Sequence, residues 1–436
     1  MTVAAAPTER SWFGQPPGLT VLFLTEMWEK FSFFGMRALL VYYMTKQLLM
    51  PQAQASMVYG LYAAFVYFTP IVGGVLSDRW LGRRRAVILG GSIMAVGHFM
   101  MAFEPLLYGA LACIALGNGL FLPSLPSQIG ALYKPDDPRR GRAYNVYYVG
   151  INLGAFLAPL VCGTLGEVYG WHYGFGAAGL GMLAGLSLYI AGGRHLPPEP
   201  PRAARQVRSE RGRTGGAAVL ILLGVGLAVV VFRGAYEQVG NTVALWADQG
   251  VDRRVGEAFS IPMTWFQSLN PLLVFTLTPL FLAFWSRQAE RGREPSAGVK
   301  MALGAFGVAA SYLLLAAASS LGVQASWIWL AAFFAVFTAA ELYILPVGLG
   351  LFARAAPAGM AATAVAAWFF ASFAGNLLAG VLGALWSRLS PAPFFALMAA
   401  VAGLSALGLL ALSPLTRRVE AQGAADAPAP AGVGQV

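Results

Sequence analysis

Apolar stretches long enough to cross a bilayer recur along almost the whole chain, and no other feature limits its fold so severely. A spanning helix needs about 20 apolar residues, and within lipid its backbone polar groups must be satisfied inside the protein. On that basis the spans fall at 18–48, 55–78, 84–103, 107–133, 143–166 and 172–193, then at 217–248, 258–286, 299–320, 326–353, 359–386 and 391–413. Composition agrees: 58% of the 436 residues are hydrophobic and 11% charged, against roughly 25% charged in a soluble domain. The net charge of +10 is therefore assigned to loops of a protein whose partner is the lipid bilayer, with no nucleic acid. Cys113 and Cys162 lie in apolar runs and read as packing residues, not as a disulfide. The first fifteen residues lack the apolar core of a signal peptide, so the first span is expected to insert uncleaved.

The expected fold class is all-α and integral to the membrane, with about twelve transmembrane helices in two six-helix bundles. Residues 1–17 form an N-terminal segment, 18–193 the first bundle, 194–216 a Pro- and Arg-rich linker, 217–413 the second bundle and 414–436 a disordered tail rich in Ala, Pro and Gly. Basic residues gather in alternate loops: Arg79, Arg83, Arg84 and Arg85; Lys134, Arg139, Arg140 and Arg142; the linker; and Arg287, Arg291, Arg293 and Lys300. The positive-inside rule then puts both termini in the cytoplasm of a multi-pass cell-membrane protein. Spans one and seven each open a half and are long and rich in Gly and aromatic residues. That pairing suggests two related bundles around a central site that opens to each side in turn.

Charges inside spans are costly, at least about 2.5–3.5 kcal/mol near the bilayer centre, so they mark a cavity or a partner. Span one carries Glu26, Glu29, Lys30 and Arg37; span seven carries Arg233 and Glu237; span ten carries Glu341. Steps of three and four residues put Glu26, Glu29, Lys30, Phe33 and Arg37 on one helix face. A carboxylate whose cation moves away can take up a proton, so proton coupling is the chemistry this set supports, with Glu26, Glu29, Glu237 and Glu341 as candidates. Structural ion pairing between helices is the alternative role for any one of them. Arg233, one turn before Glu237, can pair with it locally or lend its charge to the cavity. Neither metal ligation nor a cofactor is expected, and no pattern of an intramembrane enzyme appears.

At these residues the sequence resembles the proton-dependent oligopeptide transporter family of the major facilitator superfamily. Glu26-Met27-Trp28-Glu29-Lys30-Phe31-Ser32-Phe33-Phe34-Gly35 is similar to its first-helix motif, ExxERFxYYG. Gly73 to Arg85 resembles the loop motif after span two, and Tyr148 to Phe156 with Gly170 to Phe175 resembles the span-five signature. Tyr236-Glu237-Gln238, Trp265 to Pro271, Glu341-Leu342 with Pro346 to Leu349, and Trp368-Phe369 continue the series. The resemblance implies proton-coupled symport of di- and tripeptides by alternating access, with a monomer as the transport unit. It also implies that Arg37 and Glu237 close an outer gate and that Glu341 holds the peptide's amino end. Lys30, Phe33, Phe34, Tyr67, Asn152, Arg233, Asn270, Glu341 and Trp368 are the candidate substrate-binding residues; Asp78, Arg79 and Arg83 form a candidate conformational latch.

Three departures stand against the motifs. Lys30 replaces the motif's arginine, which keeps the charge and loses the planar fork that grips a carboxylate with two bonds. Phe33 and Phe34 replace two tyrosines. Leu122, in Gly119-Leu120-Phe121-Leu122-Pro123-Ser124, stands where the family has a lysine that pairs with the span-ten glutamate. The expectation is that Lys30, together with Arg233, takes over the substrate's anionic end. A carrier of the same fold for a modified peptide, a drug-like molecule or an anion, with altered coupling, stays open, as does a peptide sensor that does not transport.

Overall fold

The computed structural model describes residues 14–134, 137–199, 216–257, 259–354 and 361–425. The first half consists of α1 (Pro17–Tyr42), α2 (Gln52–Leu76), α3 (Arg83–Met100), α4 (Leu107–Ser124), α5 (Arg139–Ala158) and α6 (Trp171–Ala191). The second consists of α7 (Gly216–Tyr236) with its short continuation α8 (Thr242–Gln249), then α9 (Leu269–Glu290), α10 (Ala297–Ser319), α11 (Trp327–Arg354), α12 (Ala361–Ala384) and α13 (Pro391–Ala425). With α8 counted as part of the α7 span, the described residues hold twelve long helices, six in each half. Ten are apolar enough to cross a membrane on composition alone. The other two are α1, with Glu26, Glu29, Lys30 and Arg37, and α3, which begins Arg83-Arg84-Arg85.

Two sequence expectations are corrected. The eighth span does not begin at 258: β2 (Arg254–Val255) pairs antiparallel with β3 (Phe259–Ser260), a 3-10 turn follows at Met263–Ser268, and only then does α9 start. Just before them, β1 (Val251–Asp252) pairs in parallel with β4 (Ala325–Ser326). The stretch from 414 is not disordered throughout, because α13 continues through Pro414 to Ala425. Proline in a helix interior removes a hydrogen bond and costs about 3 kcal/mol, but packing outweighs it here. Ser413 and Thr416 are buried against Gly298 at the start of α10. Residues 426–436, and 200–215 of the linker, lie outside the described residues.

Within the first half α1 packs on α5 and α6, and α3 on α4 and α6; within the second, α10 packs on α11 and α13, and α7 on α12 and α13. The halves meet where α2 runs along α12 and α5 along α9. The end carrying the β2–β3 turn is called the hairpin end, and the end from which residues 194–199 lead into the linker is the linker end. At the hairpin end Tyr42 donates to the Ala244 carbonyl at 2.7 Å, Lys46 pairs with Asp248 at 2.7 Å, and Ser56 donates to Asn241 at 2.8 Å. Glu167 accepts from the Met263 and Thr264 backbone N–H groups at 3.0 and 2.9 Å and from the Thr264 hydroxyl at 2.5 Å. Its carboxylate thereby satisfies donors that the first turn of the 3-10 segment leaves open. These contacts seal the molecule at the hairpin end. Further contacts between the halves lie at mid-depth, where Arg37 pairs with Glu237 and Ser268 donates to the Phe156 carbonyl at 2.8 Å.

Candidate functional site

The seven intramembrane charges form three groups. On α1, Lys30 lies between Glu26 at 3.4 Å and Glu29 at 2.7 Å, and both carboxylates are fully buried. The approach of α5 makes that burial possible. Gly150 and Gly154 lie against Phe23 and Met27, and a Cβ at either glycine would collide with α1. Tyr147 of α5 lies within electrostatic reach of both carboxylates. The oxygens turned away from Lys30, Glu26 Oε2 and Glu29 Oε1, have no hydrogen-bond partner among the described residues. Two carboxylates sharing one ammonium leave an excess of one negative charge, which a single proton would neutralise.

The second group sits where the α7 span breaks. The α-helix ends at Tyr236, residues Glu237–Gly240 form a 3-10 turn, and α8 resumes at Thr242. Arg37 Nη2 of α1 pairs with Glu237 Oε2 across the halves, and its Nε donates to the Tyr59 hydroxyl at 2.6 Å. Arg233 Nη1 donates to Glu237 Oε1 at 2.6 Å and to the Tyr67 hydroxyl of α2 at 3.3 Å. One carboxylate thus serves two guanidinium groups and leaves one net positive charge. The third group is Glu341 on α11, which accepts from Asn270 Nδ2 of α9 at 2.6 Å; the same amide reaches the Thr338 hydroxyl at 3.0 Å. No ion pair forms at Glu341 among the described residues, and Leu122, where a lysine was the expected partner, is a half-buried residue of α4.

A cavity of about 170 Å³ lies between the halves, walled by Phe34, Arg37, Tyr67, Asn152, Arg233, Tyr236, Glu237, Gln267 and Asn270 among others. Of the candidate binding residues, Phe34, Tyr67, Asn152, Arg233 and Asn270 line it. Glu341 reaches its edge through Asn270. Lys30 and Phe33 are not in its wall: Phe33 packs edge-on against Phe34 and tilted against Tyr62, 5.9 Å from the Lys30 ammonium. Trp368 is buried edge-on against Phe352 in the second half. The single charged face expected on α1 is therefore split, with Arg37 in the cavity and the Glu26–Glu29–Lys30 group against α5.

Asp78 and Arg79 lie on the turn Ser77–Leu81 that ends α2, and Gly82, with φ +84°, leads into α3. Arg83 donates to the Ser127 carbonyl at 3.0 Å, and the Arg84 backbone N–H to Glu199 at 2.6 Å. No ion pair joins Asp78 to Arg79 or Arg83 in this conformation. At the neighbouring loop, beyond the spans, Arg139 beside Asp137 holds that carboxyl below its ordinary range, and Asp137 in turn accepts from the Arg139 backbone N–H at the start of α5.

Sequence reading missed several contributors. Tyr59 and Tyr236 carried no charge signal, though both touch the arginines. Lys46 and Asp248 were legible as opposite charges ending the two corresponding spans. Glu167 had no local signal beyond being a lone acid near a helix end.

A central cavity with charges of both signs, sealed at one end by contacts between two six-helix halves, is the organisation of a major facilitator carrier. The chain belongs to the POT family, whose model matches residues 84–211 and 217–392. It is 32% identical over 466 aligned residues to a di-/tripeptide transporter of Lactococcus lactis subsp. cremoris, covering 89% of this chain and 93% of that one. It is 31% identical to the peptide transporter YePEPT of Yersinia enterocolitica, covering 88% and 90%. Among solved structures it resembles the peptide transporter POT in complex with sulfate, with a TM-score of 0.86 and 30% identity over 94% of this chain and 97% of that one.

Proposed function

We propose that the chain is a proton-coupled symporter of di- and tripeptides working by alternating access. The observation that carries this reading is a net positive group in the cavity wall with a carboxylate held just behind that wall by Asn270. Arg37 and Arg233 on Glu237 leave a net positive charge, and Glu341 with Asn270 a negative one. A zwitterionic peptide needs both, its carboxylate at the arginines and its ammonium at Glu341. Lys30, already held by two carboxylates, is better suited to proton coupling: a proton entering the Glu26–Glu29 pair neutralises it and leaves with the next turn of the cycle. In this assignment the linker end faces the cytoplasm of the cell membrane, with both termini there, and the monomer is the transport unit. The relatives named as peptide transporters support the substrate class.

The test is uptake of labelled dialanine into proteoliposomes under an imposed inward proton gradient. Accumulation above equilibrium that collapses with a protonophore is expected. Equilibration without accumulation overturns the coupling, and binding without flux overturns transport. Phe34 in the cavity wall further favours peptides with apolar side chains, so a phenylalanine-containing dipeptide should compete better than diserine.

A further inference from the structure

Glu237 is gripped from two places that respond differently when the halves move. Arg37 stands on α1, in the other half, so opening the hairpin end must pull it away. Arg233 stands four residues earlier on the same helical span, a spacing that rigid-body motion of the halves leaves unchanged. Arg233 is 5% exposed, and a Cβ at Gly375 of α12 would overlap its Cβ, so that glycine admits the side chain. The guanidinium lies over the rings of Tyr67 at 4.9 Å and Tyr236 at 5.7 Å, while its Nε has no hydrogen-bond partner among the described residues. The other titratable groups facing Glu237 are Tyr59 and Tyr67 of α2, Tyr312 of α10, Glu341 of α11, and Tyr236 on its own helix. Helix α12, packed along α7, carries no titratable residue.

We propose that Arg233 is the resident counter-ion of Glu237, keeping that carboxylate charged when the hairpin end opens, so that the gate breaks without taking up a proton. Opening then turns two arginines on one carboxylate into a neutral Arg233–Glu237 pair and a free Arg37. That free Arg37 is the cation that meets the peptide's carboxylate. The proton load falls on the Glu26–Glu29 group alone. This rests on the transport reading above for its consequence, though the gate chemistry itself needs no substrate.

The experiment measures the distance between spin labels at Phe103→Cys and Val323→Cys, both at the hairpin end, with Cys113 and Cys162 replaced by alanine. Glu26→Gln, Glu29→Gln and Glu341→Gln silence the other carboxylates within the spans. With Arg233 present, the open fraction should be flat from pH 5.5 to 8. With Arg233→Gln or Arg233→Met it should rise as pH falls, by up to about tenfold per pH unit, because one proton now accompanies opening. Arg233→Lys should restore the flat profile. A slope in the Arg233-bearing protein overturns the proposal by itself, even if the neutral variants fail to insert; a flat profile in those variants overturns it as well. Dialanine uptake by the protein with its native carboxylates, read in parallel, separates the two readings: loss of uptake with the predicted pH profiles sinks peptide transport and leaves the gate assignment standing.

Discussion

At the scale of single residues, the governing constraint is that each buried charge be matched or made useful. Lys30 is matched twice, by Glu26 and Glu29, and removing it leaves two carboxylates facing one another. Breaking such a buried pair costs about 3–5 kcal/mol if the charges persist. Lys30→Ala should therefore lock a proton onto the pair. Gradient-driven accumulation of dialanine is expected to fall at least about tenfold, a factor worth 1.36 kcal/mol, while counterflow exchange persists; Lys30→Arg should retain both. Equal loss of exchange and accumulation would contradict this role. Glu341 has a single amide partner, Asn270, in reach of the cavity. Glu341→Gln removes a charged hydrogen bond worth about 1.5–3 kcal/mol, so KM for dialanine should rise roughly tenfold or more. That these residues mattered was legible from their being charged within apolar spans. Their grouping was not. Helical spacing put Lys30 and Arg37 on one face, and only the positions of α5 and α7 gave them different partners.

At the scale of elements, the informative places are where helices approach closely or break. Gly150 and Gly154 bring α1 onto α5 and so bury the proton-coupling group. Gly154→Leu inserts side-chain volume where α1 backbone lies, and overpacking costs about 1–3 kcal/mol. A lower Tm and lost uptake are expected, with a milder effect for Gly154→Ala; unchanged melting would show that α1 and α5 need not touch. At the hairpin end, Glu167 ties α6's approach to the 3-10 turn before α9 through three hydrogen bonds. Glu167→Gln should lengthen the mean Phe103–Val323 label distance by raising the population open at that end, since charged hydrogen bonds contribute about 1.5–3 kcal/mol each. The break at Glu237–Gly240 was hidden in the sequence, where residues 217–248 read as one apolar span. Hydropathy does not register the change from α to 3-10 geometry. It likewise overran the start of α9, and the tail composition concealed a helix held by Gly298 of α10.

At the scale of the whole molecule, the closed hairpin end determines which side reaches the cavity. Asn152→Cys, in the cavity wall, should react with a membrane-impermeant maleimide only from the linker side, while Tyr42→Cys, fully buried at the seal, stays unmodified. Inside-out and right-side-out vesicles distinguish the two directions, and labelling of Asn152→Cys from the outside alone would reverse the orientation assigned to the chain. The twelve-helix, two-half plan followed from the sequence by itself, because lipid leaves the backbone little choice but helix and the length of each apolar run sets the crossings. The identity of the charged residues followed too, since a charge in a span stands out against its surroundings. Which charges face each other was decided only by the tertiary structure. Pairing depends on distances of a few ångströms between helices remote in sequence, such as Arg37 and Glu237, and no local pattern encodes them. The sharing of Glu237 between Arg37 and Arg233, on which the proposed gate chemistry depends, exists only once α1 and α7 meet.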